Sequence, residues 1–367
     1  MRPDSVLQTL RRAGFEAWYV GGCVRDTLLA RPIHDWDVTT SALPEQVLAL
    51  FPKTIPTGLK HGTVTVLADG EPVEVTTYRT DGTYRDGRHP DGVRFVRTLR
   101  EDTARRDFTV NAMAMSPDGT ICDYHGGQAD LAARLLRCVG EPERRFREDA
   151  LRMLRACRFA AQLGFSIETQ TWKALLRCAP LCAALSRERI TEEVGKTLLS
   201  PAPQWVGTMI ESGLLASCGL SGSHDLSWLA ALPRTAEARW ASLGILLPEL
   251  DFAVFRLPAR FVRLCQTARR CWPAPENSLG WKRLIAAEGA EAARLLGALS
   301  QVDAVDKILA SGECVSLHDL AVSGRDFPAL RGPALGDLLS ALLEHVLQIP
   351  EDNRRETLLS LARTLLS

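Results

Sequence analysis

The spacing of apolar residues changes once along this 367-residue chain, and that change constrains the fold more than any single motif. Up to about Gly140, short β-rich runs (17–20, 62–67 and 72–78) alternate with short helical stretches and frequent Gly, Pro and Asp. From about Glu141, apolar residues recur at helical spacing through 149–163, 172–185, 190–199 and 334–348. The pattern predicts an α+β protein. A first domain over 1–140 carries a small mixed sheet, and helical segments follow over 141–200 and 201–367. Within the helical half, 273–280 (PAPENSLG) reads as the most linker-like stretch.

Composition excludes several classes. Hydrophobic residues make up 46% and charged residues 24%, as in ordinary globular proteins, and no apolar run approaches the ~18 residues of a membrane span. The opening MRPDSVLQTLRRAG mixes charges into an amphipathic pattern and lacks the apolar core of a secretory signal, so a cytoplasmic location is expected. The ten cysteines form no C-x-x-C pair, which predicts reduced, mostly buried thiols rather than zinc or disulfides. Net charge is zero, with 44 Lys plus Arg against 44 Asp plus Glu, so composition gives no global sign of nucleic-acid binding. Lysine occurs only at 53, 60, 173, 196, 282 and 307. The arginine bias suits phosphates, and GC-rich coding produces it equally.

Four constellations carry chemistry. Gly21-Gly22 ends a strand and opens a helix, which lets backbone N–H groups approach a phosphate, with Arg25 as a charged donor beside Asp26; alone, such a turn is more often structural. In Asp35-Trp36-Asp37 the carboxylates alternate along an expected strand and share a face, where their repulsion calls for a cation and hard oxygen donors favour Mg²⁺. A lone D-x-D is usually a solvated turn; the upstream glycines and Arg25 favour chemistry. Glu74, flanked by Val73 and Val75, points away from the core and reads either as a third carboxylate or as an exposed strand residue. Asp81–Asp91 has the composition of a loop, either a lid or a solvated turn.

Arg105-Arg106-Asp107 with Asn111 offers donors and acceptors for a triphosphate and ribose, although a capping Asp and surface arginines look similar. Asp149 and Arg152 stand three residues apart, and on one helix they share a face with Arg155 and Arg158. Cytosine and adenine both present an amino donor beside a ring-nitrogen acceptor, so an Asp–Arg pair can accept both and reject uracil and guanine. The bland alternative is an intrahelical salt bridge worth about 0.3–0.5 kcal/mol.

Together these stretches resemble the class II tRNA nucleotidyltransferases, the bacterial CCA-adding enzymes of the polymerase-β-like superfamily. The matching segments are GGCVRDTLLARPIHDWDVTTSALPEQV, TGLKHGTVTVL with EVTTYR, RRDFTVNAMAM, DYHGGQADL, EDALRMLRACRFAAQLGF and SRERITEEVGKTLL, in family order across roughly Phe15 to Leu199. The resemblance implies a polymerase-β-like head followed by an all-α neck, body and tail. It implies catalytic Asp35, Asp37 and Glu74, with two Mg²⁺ ions on Asp35 and Asp37. It places Gly21, Gly22, Arg25, Asp26, Arg106, Asp107 and Asn111 at triphosphate and ribose, and Asp149 with Arg152 at the base, supported by Arg155 and Arg158. CTP and ATP are the implied substrates and the tRNA 3′ end the partner, with no DNA and no membrane. Retention of the loop matching Tyr84–Pro90 argues against a CC-only enzyme. Between about Pro201 and Gly312 no motif assigns tRNA contacts. The rivals are a poly(A) polymerase, an A-adding or CC-adding relative, and a catalytically dead RNA-binding protein, whose expected mark is a lost metal carboxylate.

Overall fold

The computed structural model describes residues 2–33, 35–68, 70–81 and 93–366. The loop expected over Tyr84–Pro90, like His34, lies outside the described residues. The chain folds into two compact units, Met1–Ser223 and His224–Ser367.

The first unit is built on a seven-stranded mixed sheet of order β3-β4-β5-β2-β1-β8-β9. Its strands are β1 (Ala17–Val20), β2 (Asp37–Thr40), β3 (Thr54–Gly58), β4 (Thr63–Ala68), β5 (Glu71–Thr77), β8 (Ala114–Met115) and β9 (Ile121–Cys122). A separate hairpin pairs β6 (Arg79–Asp81) with β7 (Val93–Phe95). The alternation read in 62–78 becomes the β4–β5 hairpin, with Val64, Val66, Val73 and Val75 buried and Glu74 exposed. Helices α1 (Asp4–Arg12) and α3 (Pro44–Leu50) cover the apolar face, burying Val6, Leu7, Leu10 and Val47. Within the large sheet, β2 and β5 pair in parallel, whereas the other neighbours run antiparallel. That pairing sets Asp37 beside Glu74 and Thr39 beside Thr76.

Helix α2 (Gly22–Leu28) follows β1; α4 (Leu99–Ala104) and α5 (Gly127–Ala132) lead toward the helical part. Asp123, expected to shape a turn, accepts hydrogen bonds from the backbone of His125, Gly127 and Gln128 and so starts α5. Next come α6 (Pro142–Glu148), α7 (Leu151–Leu163), α8 (Thr169–Cys178), α9 (Arg187–Leu198) and α10 (Trp205–Glu211). Helix α7 is buried on most sides, including Arg152 and Arg158, because α9 and α10 pack against it. A short parallel pair, β10 (Leu135–Leu136) with β11 (Ser166–Ile167), joins the end of the sheet region to the loop after α7.

The second unit is helical in its described residues: α11 (Ala236–Leu246), α12 (Ala259–Arg270), α13 (Ser278–Ser300), α14 (Ala304–Ser311), α15 (Gly332–Gln348) and α16 (Arg355–Leu366), with short 3₁₀ turns. The linker-like stretch at 273–280 spans the connection from α12 into α13. All ten cysteines are free thiols; Cys122 and Cys271 are half-buried and the other eight buried. No described helix is long and apolar enough to cross a membrane.

Candidate active site

Strand β2 begins at Asp37, so Asp35 and Trp36 precede it and the alternation expected across Asp35-Trp36-Asp37 is corrected. Trp36 instead packs on Tyr19 with ring centroids 4.8 Å apart, and Asp35 is exposed. Asp37 lines a cleft of about 240 Å³ with Thr63, Glu74, Thr76, Arg79, Arg105 and Arg106. Burial pushes its carboxyl up to about 6; Arg106 opposes that shift while Glu74 and Asp35 reinforce it. Two oxygen-donor side chains in register, one half-desolvated and reluctant to ionise, fit a hard divalent cation. No group of three His, Cys, Asp or Glu among the described residues is arranged as a ready-made metal site.

Gly21 takes φ +77°, a left-handed conformation that glycine adopts without Cβ strain. A Cβ there would stand 3.0 Å from Nη1 of Arg106 and 3.8 Å from Oδ2 of Asp37. The turn therefore lets a guanidinium and a carboxylate close on the end of β1. Gly22 then opens α2, which turns Arg25 inward. Arg25 donates to both oxygens of Asp26 (3.0 and 2.8 Å) and to Oδ1 of Asn111 (2.7 Å). Asn111 in turn donates to Asp107 (3.1 Å), which also accepts from Arg155 through Nε (2.8 Å) and Nη2 (2.6 Å). Burial alone would raise the Asp107 carboxyl, but Arg155, Asn111 and the Phe108 N–H outweigh it and hold it at about 2. These residues form one polar chain from α2 to α7. Phe159 packs beside it, with the guanidinium carbons of Arg25, Arg155 and Arg158 at 5.2, 5.1 and 4.1 Å from its centroid.

A second cleft, about 260 Å³, is lined by Arg105, Arg106, Asp107, Asp149, Leu151, Arg152, Arg155 and Arg189. It shares Arg105 and Arg106 with the first. Asp149 is not on one helix with Arg152, which corrects the sequence expectation: its backbone is extended (φ −145°, ψ 107°) between α6 and α7. Asp149 accepts from the Leu151 N–H (3.0 Å) and pairs with Arg189 (2.9 Å). Arg152 donates to Glu148 (2.8 Å) and to the carbonyls of Arg145 (3.1 Å) and Arg105 (2.9 Å). Arg158 turns to Glu193 on α9 at 2.5 Å and does not line either cleft.

Residues 17–137 match the family model described as the Poly A polymerase head domain, and 164–218 that described as the probable RNA and SrmB-binding site of polymerase A. The CCA-adding enzyme of Geobacillus stearothermophilus is 41% identical over 96% of this chain and 93% of its own length. The chain belongs to the CCA-adding enzyme family. A further CCA-adding enzyme, from Geobacillus thermodenitrificans, is 48% identical over a shorter alignment, 70% of this chain and 66% of that enzyme. The crystal structure of the Bacillus stearothermophilus CCA-adding enzyme in complex with CTP has a TM-score of 0.86 at 36% identity, covering 99% of this chain and 98% of that one.

In this member of the CCA-adding family the structure brings Asp37, Glu74 and Arg106 to one cleft, with Gly21 against Asp37 and Arg106, and Arg106, Asp107, Asp149, Arg152 and Arg155 to the adjoining one. Two side chains that sequence reasoning did not single out join them. Arg189 arrives from α9 forty residues beyond Asp149, a distance with no local signal. Asp102, in the first turn of an acidic-looking α4 start, lies under Arg105 and Arg106.

Proposed function

We infer that this protein builds or repairs the 3′-terminal CCA of tRNA, joining CMP and AMP from CTP and ATP without a nucleic-acid template. The observation that carries this reading is the pair of clefts sharing the Arg105–Arg106 wall, with carboxylates in one and an Asp–Arg pair in the other. Such an arrangement holds a triphosphate at its reacting end and its base at the far end of one nucleotide.

Asp35 and Asp37 would hold Mg²⁺, with Glu74 as a further oxygen donor beside Asp37. When bound, the ions would favour attack by the terminal tRNA hydroxyl on the α-phosphate and departure of pyrophosphate. Arg106, over Gly21, supplies a charged donor for phosphate oxygens; the backbone at Gly21-Gly22 permits close approach. Arg25, Asp26 and Asn111 act as a linked set, tying the turn to Asp107 and hence to Arg155. At the base, the remaining acceptor capacity of Asp149 meets an amino group, while Arg152 faces the ring-nitrogen acceptor. Arg155, on the cleft wall, braces that edge, and Arg158, outside the clefts, supports it from behind through Glu193. We propose the same division along the chain: 1–140 for chemistry, 141–200 for base recognition, and 201–367 for holding tRNA, in the cytoplasm.

The experiment is extension of three tRNAs, ending before the tail, after C and after CC, with each nucleoside triphosphate alone and with CTP plus ATP. Growth that stops after CCA supports the reading. Growth ending at CC, addition of A alone to the CC end, or an unbounded A tail would replace it with a CC-adding enzyme, an A-adding enzyme or a poly(A) polymerase.

A further inference from the structure

Asp102 is fully buried on α4, where an isolated carboxylate would be strongly disfavoured. Its oxygens collect donors from three parts of the sheet region. The Thr39 hydroxyl, shared with the Thr76 carbonyl, reaches Oδ2 at 3.2 Å, and the Arg79 N–H reaches Oδ1 at 3.2 Å. Arg105 donates through Nε (3.1 Å) and stands at 3.0 Å through Nη2; Nη2 of Arg106 is 3.6 Å away. Although burial pushes the other way, Arg105, Arg106 and the Arg79 N–H keep the Asp102 carboxyl below the usual carboxylate range, so it carries its charge.

The placement of these partners gives the carboxylate reach. Thr39 lies two residues beyond Asp37 on β2 and so faces the same side of the sheet. On the other side, the backbone carbonyl of Arg105 accepts from Nη2 of Arg152 (2.9 Å), and Asp107 grips Arg155. The turn 105–107 thus touches both clefts, and Asp102 anchors it to the strand that carries Asp37.

We propose that Asp102 is a positioning residue for nucleotide selection: by pinning Arg105 and Arg106 against β2, it fixes the carbonyl that aims Arg152 at the incoming base. This rests on the reading of the paired clefts as the nucleotide site. Asp102 itself touches no substrate; it acts through the arginines.

The test is the ratio of kcat/KM for CTP over UTP on a tRNA lacking its tail, in wild type, Asp102→Asn, Arg152→Ala and the double variant. A misplacement of the base-reading group predicts a ratio lowered by about tenfold to a hundredfold in Asp102→Asn. Because the effect runs through Arg152, adding Asp102→Asn to Arg152→Ala should lower the ratio no further. A wild-type ratio in Asp102→Asn, or a loss that adds in full to that of Arg152→Ala, overturns the proposal. Should Asp102→Asn not fold, Thr39→Val removes one donor isosterically and should lower the ratio in the same direction, about threefold for a single hydrogen bond; an unchanged ratio there overturns it as well. Wild-type protein that fails to extend tRNA with CTP would sink the nucleotide-site reading and this inference together, whereas active wild type with an indifferent Asp102 sinks this inference alone.

Discussion

Single carboxylates in this site differ in charge behaviour because their neighbours differ. Asp37, raised to about 6, takes up a proton below that pH, and there a bound cation must displace it. Magnesium affinity, followed by titration calorimetry, should therefore weaken as pH falls through about 6, and a pH-independent affinity would count against Asp37 as a ligand. Asp37→Asn should lower transfer at least a thousandfold while changing tRNA affinity less than about twofold, since the carboxylate serves chemistry rather than docking. Asp107 behaves oppositely. Its folded value of about 2 lies below the ordinary 3.8, so its contribution is complete above about pH 4 and is lost as pH falls toward 2. The shift corresponds to about 2 kcal/mol. Urea unfolding of Asp107→Asn should lack that part of the acid dependence, and an unchanged pH profile would remove Asp107 from the network. At this scale the sequence exposed residue types but not partners. Glu74 could be aimed from alternation alone, whereas its contact with Asp37 depends on a parallel pairing that nothing local specifies. Asp149 shows the opposite limit: an Asp two residues before Leu151 is a helix-start signal, yet the regular spacing of the arginines after it suggests a continuous helix.

Helix α7 carries three arginines in sequence line, and the structure sends each to a different place. Arg152 points to the turn at Arg105, Arg155 to Asp107, and Arg158 to Glu193 on α9. The last pair is buried, with side chains 9% and 4% exposed. Removing one partner leaves an uncompensated charge, so Glu193→Gln should cost about 3–5 kcal/mol. Denaturant unfolding reads this directly, and a loss under 1 kcal/mol would mean that the α7–α9 contact is held by its apolar residues. Element type was legible here because apolar spacing near 3.6 persists through both helices. Which distant acid each arginine meets was not, because the separations, 48 residues for Arg155 to Asp107 and 35 for Arg158 to Glu193, are set by tertiary packing.

At the scale of the molecule, the first unit contains both clefts and every residue proposed here for chemistry or base reading. A fragment of residues 1–223 should fold cooperatively and bind CTP, while its tRNA affinity falls at least about tenfold through loss of contact area. Undiminished tRNA binding by that fragment would confine recognition to the first unit. The helical character of 224–367 could be read from periodicity, but no motif there names a partner, since helix-forming apolar patterns encode packing and not ligand chemistry. The thiols offer a way to watch the two units together. Since eight of the ten cysteines are buried, thiol-reactive dyes at low excess should label Cys122 in the first unit and Cys271 in the second ahead of the rest. The unaltered chain thus supplies its own two attachment points for a fluorescence ruler, on which any rearrangement during successive additions of C, C and A would register as a change in energy transfer.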